Sequence, residues 1–124
     1  MPYLLLLSLF VAHWLGDYSP LQTARMLRAK ALGRPLLPIA AHAAVHTTLM
    51  AAVLLVLVPG PGVGPALVLQ AVSHFGIDAL KGRLNGWFPA LRDPTRQSHW
   101  VVFGFDQMLH HAVIVAMVAL ATPV

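Results

Sequence analysis

The sequence predicts an all-α membrane protein: one domain over residues 1–124, built as a bundle of four transmembrane helices in two pseudo-repeated hairpins. Three observations predict it. The chain is 58% hydrophobic and only 10% charged, with a mean hydropathy of +0.74, whereas an ordinary soluble domain carries about 25% charged residues. Its apolar residues gather into four runs, 2–17, 36–58, 65–82 and 101–122, each near the ~20 residues that cross about 30 Å of hydrocarbon. The basic residues cluster around the connections instead of forming a stripe, so the net charge of +4 and the pI near 10.4 read as membrane topology and not as a nucleic-acid surface.

The first run, 2–17, has no basic residues before it and no small-residue cleavage site, so it is expected to stay in the mature protein as a short span. It is followed by "YSPLQTARMLRAKALGRP", which carries Arg25, Arg28, Lys30 and Arg34 with no acid. That stretch suits a short interfacial helix with Leu21, Met26 and Leu27 toward lipid. The second run, 36–58, turns tightly through the uncharged "VPGPGVGP" into the third, 65–82. The third connection, "GRLNGWFPALRDPTRQSHW", sets Arg83, Arg92 and Arg96 against Asp93, and its Trp87, Phe88 and Trp100 suit the headgroup zone, as does Trp14. Both basic connections fall on one side of a four-span chain. The positive-inside rule makes that side cytoplasmic and puts both termini outside.

Each run holds residues that hydrocarbon rejects, and each holds them as a pair four positions apart: His13 and Asp17, His42 and His46, His74 and Asp78, Asp106 and His110. That spacing sets both members on one helical face, one turn apart. Counted from the outer ends of the spans, His13, His46, His74 and His110 lie roughly 9 to 12 residues in, about 14 to 18 Å at the helical rise. They form an outer tier. Asp17, His42, Asp78 and Asp106 form an inner tier roughly 6 Å closer to the cytoplasm. "HWLGD" at 13–17 echoes "HFGID" at 74–78, and each is followed by a second pair, which is the basis for two repeated hairpins.

A lone intramembrane histidine is often no more than a hydrogen-bond partner between helices. Four pairs at one depth are harder to explain that way, because burying three carboxylates without cations costs several kcal/mol each. Cations resolve the cost. The chain has no cysteine, so the donor set is imidazole and carboxylate, which suits zinc first and also iron or manganese. Eight candidate ligands, His13, Asp17, His42, His46, His74, Asp78, Asp106 and His110, exceed what one ion uses. Two divalent ions about 3.5–4 Å apart and bridged by an Asp are the expectation, an arrangement that parallels the di-iron bundles of soluble proteins.

Other residues are weaker candidates. Lys81 shares the face of His74 and could hold an anionic substrate, or it could snorkel to the surface. Gln22 and Gln107 could orient ligands. His111 is one residue off the ladder face and His99 lies in a connection. No serine sits in a nucleophile motif, although Ser73 lies beside His74.

The set "HWLGDYSPLQ", "HAAVH", "HFGIDALK" and "FDQMLHH" resembles an uncharacterised bacterial membrane family, domain of unknown function 3307, over nearly the whole chain. The recurring His-x-x-x-Asp element is more distantly similar to membrane-bound metal-dependent hydrolases. The first resemblance implies a small polytopic membrane protein, the second metal dependence and hydrolysis. From the residues, the expected function is hydrolysis of a lipid or lipid-linked substrate by water activated on two metals, with Asp17 or Asp106 moving the proton and Lys81 assisting. A di-iron oxidase or hydroxylase, a metal carrier or sensor, and a structural subunit stay open. A second copy of the chain is the partner that a bundle too small for a closed cavity suggests; nucleic acid is not expected.

Overall fold

The computed structural model describes residues 2–123. They form five α-helices: α1 (Pro2–Tyr18), α2 (Ala24–Leu32), α3 (Leu36–Leu57), α4 (Val63–Trp87) and α5 (Gln97–Ala121), with a 3₁₀ turn, Pro89–Arg92, before the last. The expected four-helix bundle is thus corrected to five helices. Three of them, α3, α4 and α5 at 22, 25 and 25 residues, are long and apolar enough to cross a membrane. α1 has 17 residues, slightly below the ~20 that span the hydrocarbon.

The four long helices close a ring in which α1 packs on α3, α3 on α4, α4 on α5 and α5 on α1, while α2 lies against α3 and α4. Local chemistry fixes several of their ends. Thr23 caps α2 by accepting the Met26 N–H at 3.2 Å, and Gly33 ends it in the left-handed conformation at φ 67°. Pro38 and Pro65 stand in the first turns of α3 and α4, where the missing N–H would have had no helical partner. In the connection before α5, Asp93 accepts the Thr95 hydroxyl at 2.6 Å and its N–H at 2.9 Å. Those bonds hold the Asp93 carboxyl below its usual pKa.

The interior is stratified. At the end that holds the termini, Leu5, Leu9, Met50, Leu54, Val63, Ala66, Ile114 and Met117 make one buried apolar layer. Toward the other end the buried residues become His13, His42, His46, Gln70, His74, Asp78, Asn85, Asp106 and His110. The outside is the reverse: Leu7, Val11, Leu55, Val68, Val72, Val101, Phe105 and Val115 are all exposed. A polar interior inside an apolar surface is the burial pattern of a protein solvated by lipid tails.

Candidate metal centre

All eight ladder residues point into the ring. His13, His42, His46, His74, Asp78, Asp106 and His110 are at most 5% exposed, and the Asp17 side chain is 9% exposed. The outer tier comes together as expected, with His46 and His74 rings 4.0 Å apart, His74 and His110 4.3 Å, His13 and His46 4.9 Å, and His13 and His110 5.3 Å. The inner carboxylates hang one turn below. Asp17 lies 3.1 Å from His46 Nε2, 3.2 Å from His42 Nε2 and 3.3 Å from His13 Nε2. Asp78 lies 3.2 Å from both His74 Nε2 and His110 Nε2 and 3.6 Å from His42 Nε2. Asp106 lies 3.4 Å from His110 Nε2.

Three groups have donor atoms close enough to share an ion: Asp17, His42, His46 and His74; Asp78, Asp106 and His110; and His13, His74 and His110. The first two have no residue in common. Together they use seven of the eight residues, and His13 belongs to the third group, whose other two members the first two already contain. The grouping therefore runs across the tiers: ligands gather by which helices are adjacent, not by depth alone.

Two observations test whether these residues fit a cation. The first is distance. Imidazole and carboxylate that share a charged hydrogen bond close to about 2.7–2.9 Å, and the His–Asp contacts here are all between 3.1 and 3.6 Å. Ligands held at about 2.0–2.2 Å around a tetrahedral ion stand roughly 3.3–3.6 Å from one another. The second is satisfaction. Among the described residues, His74 Nε2, Asp78 Oδ2, Asp106 Oδ1 and the Nδ1 atoms of His42 and His46 are buried with no aligned hydrogen bond, although His74 Nε2 stands 3.2 Å from Asp78 Oδ2 and Asp106 Oδ1 3.4 Å from His110 Nε2; buried polar atoms are normally paired. The donor set fits a borderline divalent ion.

Several partners lay outside the ladder pattern. Lys30 of α2 reaches in to stand 3.4 Å from Asp17 Oδ1, 3.2 Å from His42 Nε2 and 2.8 Å from Gln22 Oε1. Sequence reading had placed Lys30 in a surface connection. Gln70, one turn above His74, contacts its Nδ1 at 3.1 Å and is 2% exposed. It fixes the ring so that Nε2 turns toward Asp78, as an outer partner of a metal ligand does. The i,i+4 spacing of Gln70 to His74 was the available signal, obscured because a buried glutamine is common between membrane helices.

The weaker candidates divide. Lys81 does not snorkel away: its Nζ is 3.3 Å from Asp106 Oδ2 and 4.8 Å from the Phe103 ring centre. Gln107 donates to Asp106 Oδ2 at 3.0 Å and lies 3.4 Å from His13, and Gln22 donates to the Asp17 carbonyl. His111 meets Phe10 edge-on at 5.2 Å, and His99 contacts the Leu91 carbonyl at 2.6 Å. Neither belongs to a ligand group. The Ser73 hydroxyl donates to the Leu69 carbonyl at 2.5 Å, so it is committed to its own helix. Trp14, Trp87 and Trp100 are all more than half exposed.

The polar half opens at one end. A cleft of about 370 Å³ between α1, α2, α4 and α5 is lined by Lys30, Lys81, Asn85, Trp100 and Gln107 and ends on Asp17 and Asp106. Tyr18, Leu27, Ala31 and Phe103 complete its wall, so the lysines and carboxylates stand in a cleft that is otherwise largely apolar.

In comparison with known families, residues 5–124 match the family described as Protein of unknown function (DUF3307). No curated protein and no solved structure matches the chain.

Proposed function

We propose that this chain, which belongs to the DUF3307 family of proteins of unknown function, is a bacterial inner-membrane metalloprotein with a dinuclear centre that hydrolyses a lipid or lipid-linked substrate. The observation that carries the reading is Asp78. It is 3% exposed, its nearest charged or titratable neighbours are the Nε2 atoms of His42, His74 and His110, and no lysine reaches it. Asp17 and Asp106 have Lys30 and Lys81 as counter-charges; Asp78 has only neutral or protonated imidazoles. A buried carboxylate whose partners are imidazoles alone has a weaker counter-charge than one beside a lysine, and a divalent ion would supply the missing charge.

Asp17, His42, His46 and His74 would hold one ion, and Asp78, Asp106 and His110 the other. Zinc suits the donors first, with iron or manganese next. Such ions supply water whose pKa is lowered to about 7. The rest is done by this chain's own groups. Asp106, at the inner end of the cleft, accepts the proton of the attacking water, and Asp17 is the second carboxylate within reach. Lys81 and Lys30 face the same space and stabilise negative charge developing on a phosphoryl or acyl oxygen. The basic end of the bundle is then cytoplasmic and the termini are outside.

The test is elemental analysis of protein purified without a metal-affinity tag, beside a His46→Ala, Asp78→Ala double variant. The expected result is about two ions per chain, one for each ligand group, lost in the variant. The loaded protein should also release a water-soluble product from a membrane lipid extract. Protein with no stoichiometric metal would overturn the metal centre. Iron accompanied by oxygen uptake would move the centre to an oxidase, and metal flux into proteoliposomes would make it a carrier.

A further inference from the structure

The membrane-facing surface of the bundle carries a groove as well as the cleft, and the two meet at one ion pair. The groove, about 320 Å³, runs between α4 and α5 and is walled by Ile77, Leu80, Leu84, Val102, Phe105 and Leu109. It follows α4 from Ser73 to Leu84, roughly 16 Å at the helical rise. Lys81 and Asp106 line it, and the same two residues line the cleft. The pair therefore stands where the apolar groove adjoins the cleft that holds Asp17, Lys30 and Gln107. All eight basic residues lie between Arg25 and Arg96, at the end where the cleft opens, against Asp93 as the one acid outside the ladder.

We infer that the α4–α5 groove and the Lys81 end of the cleft form one lateral binding site for a lipid with an anionic headgroup and a hydrocarbon chain, the chain in the groove and the headgroup on Lys81. The inference rests on the proposed function in that it names the class of its substrate. Bilayer tails are as apolar as the groove, so a chain gains little by leaving them for it; the groove sets position. Selectivity comes from the headgroup. Lys81, whose side chain is 25% exposed, exchanges part of its contact with Asp106 for the incoming anion, which brings the headgroup to the carboxylate that would move the proton.

Gly76 makes the groove testable. It lines the groove, and a Cβ built there meets nothing within 4 Å, so a large side chain fills the channel without disturbing the bundle. Gly64, near the start of the same helix, is equally open and lies outside the groove. The probe is hexadecyl phosphate with a diazirine near the chain end, photolysed with the full-length protein in zwitterionic nanodiscs and mapped by peptide mass spectrometry. A hexadecyl trimethylammonium probe with the same diazirine is the control. The expected result is labelling concentrated on the groove faces of α4 and α5, at least fivefold above the cationic probe. It should fall at least fivefold in Gly76→Phe and in Lys81→Met, and stay unchanged in Gly64→Phe. Labelling spread over the exposed faces of all four long helices whatever the headgroup, or indifferent to Gly76→Phe, would show ordinary annular lipid and overturn the site. Metal is measured on the same samples. Metal without groove labelling removes the lipid site alone, and groove labelling without metal removes the dinuclear centre alone.

Discussion

A single hydrogen atom at Gly16 decides whether His46 can reach its carboxylate. A Cβ built on Gly16 would lie 2.4 to 2.7 Å from three atoms of the His46 ring, well inside any tolerated contact. Gly16→Ala therefore forces the ring away from Asp17. The variant should lose about 1–3 kcal/mol of stability through overpacking, and the ion held through His46 should go with it, read as a lower thermal midpoint and reduced metal content. Gly76→Ala is the matched control, since its Cβ meets nothing and alanine is the better helix former by up to about 1 kcal/mol. The two glycines sit in the echoed motifs "HWLGD" and "HFGID" but one register apart, so one faces the ladder and the other faces outward. Lys30 makes a second residue-level prediction. Its ammonium stands 3.4 Å from Asp17 Oδ1 and 3.2 Å from His42 Nε2, two atoms that the first ion would use. Ammonium and ion compete for that corner. Lys30→Met should bind the first ion at least tenfold more tightly, about 1.4 kcal/mol, by competition titration against a chelating dye; weaker binding would show that Lys30 supports the centre instead.

At the scale of elements, the placement of Lys30 depends on how closely α2 docks. A Cβ on Gly82 would fall 2.2 Å from Gly33 N and 2.5 Å from both Gly33 Cα and the Lys30 carbonyl. α4 and the end of α2 therefore touch backbone to backbone. Gly82→Ala should push α2 off α4 and lower the thermal midpoint by the equivalent of about 1–3 kcal/mol. Gly86→Ala, one turn on and open apart from a 4.0 Å contact, should leave it unchanged or raise it; equal effects from the two would discount the docking. The helices themselves were largely legible in the sequence, because hydrocarbon imposes a length and a composition that four apolar runs display. What the runs marked was membrane thickness, not helix extent. The third run covers 65–82, yet α4 continues through Arg83 and Asn85 to Trp87, and α5 begins at Gln97, four residues before its run. Helical hydrogen bonding continues after hydropathy has fallen. The ladder was legible for a related reason: polar residues in an apolar run stand out, and four-residue spacing fixes their face. Lys30 and Gln70 were not, since a lysine in a basic connection and a glutamine in a span acquire their meaning only from what the fold sets opposite them.

The whole molecule joins two layers with different sources of cohesion. The layer of Leu5, Leu9, Met50, Leu54, Ile114 and Met117 is packed, but in a bilayer such packing competes with lipid tails that are equally apolar, so it holds helices by close fit and not by exclusion of water. The layer of imidazoles and carboxylates has no such equivalence with lipid. Its groups must be satisfied from within, and five buried polar atoms lack aligned hydrogen bonds among the described residues. If divalent ions satisfy them, they bind the folded ring far better than separated helices, and their binding free energy adds to the stability of that half. Chelation should therefore loosen the bundle unevenly. Amide hydrogen exchange in nanodiscs, compared before and after a strong chelator, should quicken around Asp17, His42, Asp78 and Asp106, whose side chains the ions would hold. The amides around Leu5, Leu54 and Met117 should change little, because their layer keeps its contacts. Uniform loosening would mean that the layers unfold as one unit. No change at all would mean that imidazolium and lysine already balance the three carboxylates, and that the ladder is a polar clasp between helices instead of a metal centre.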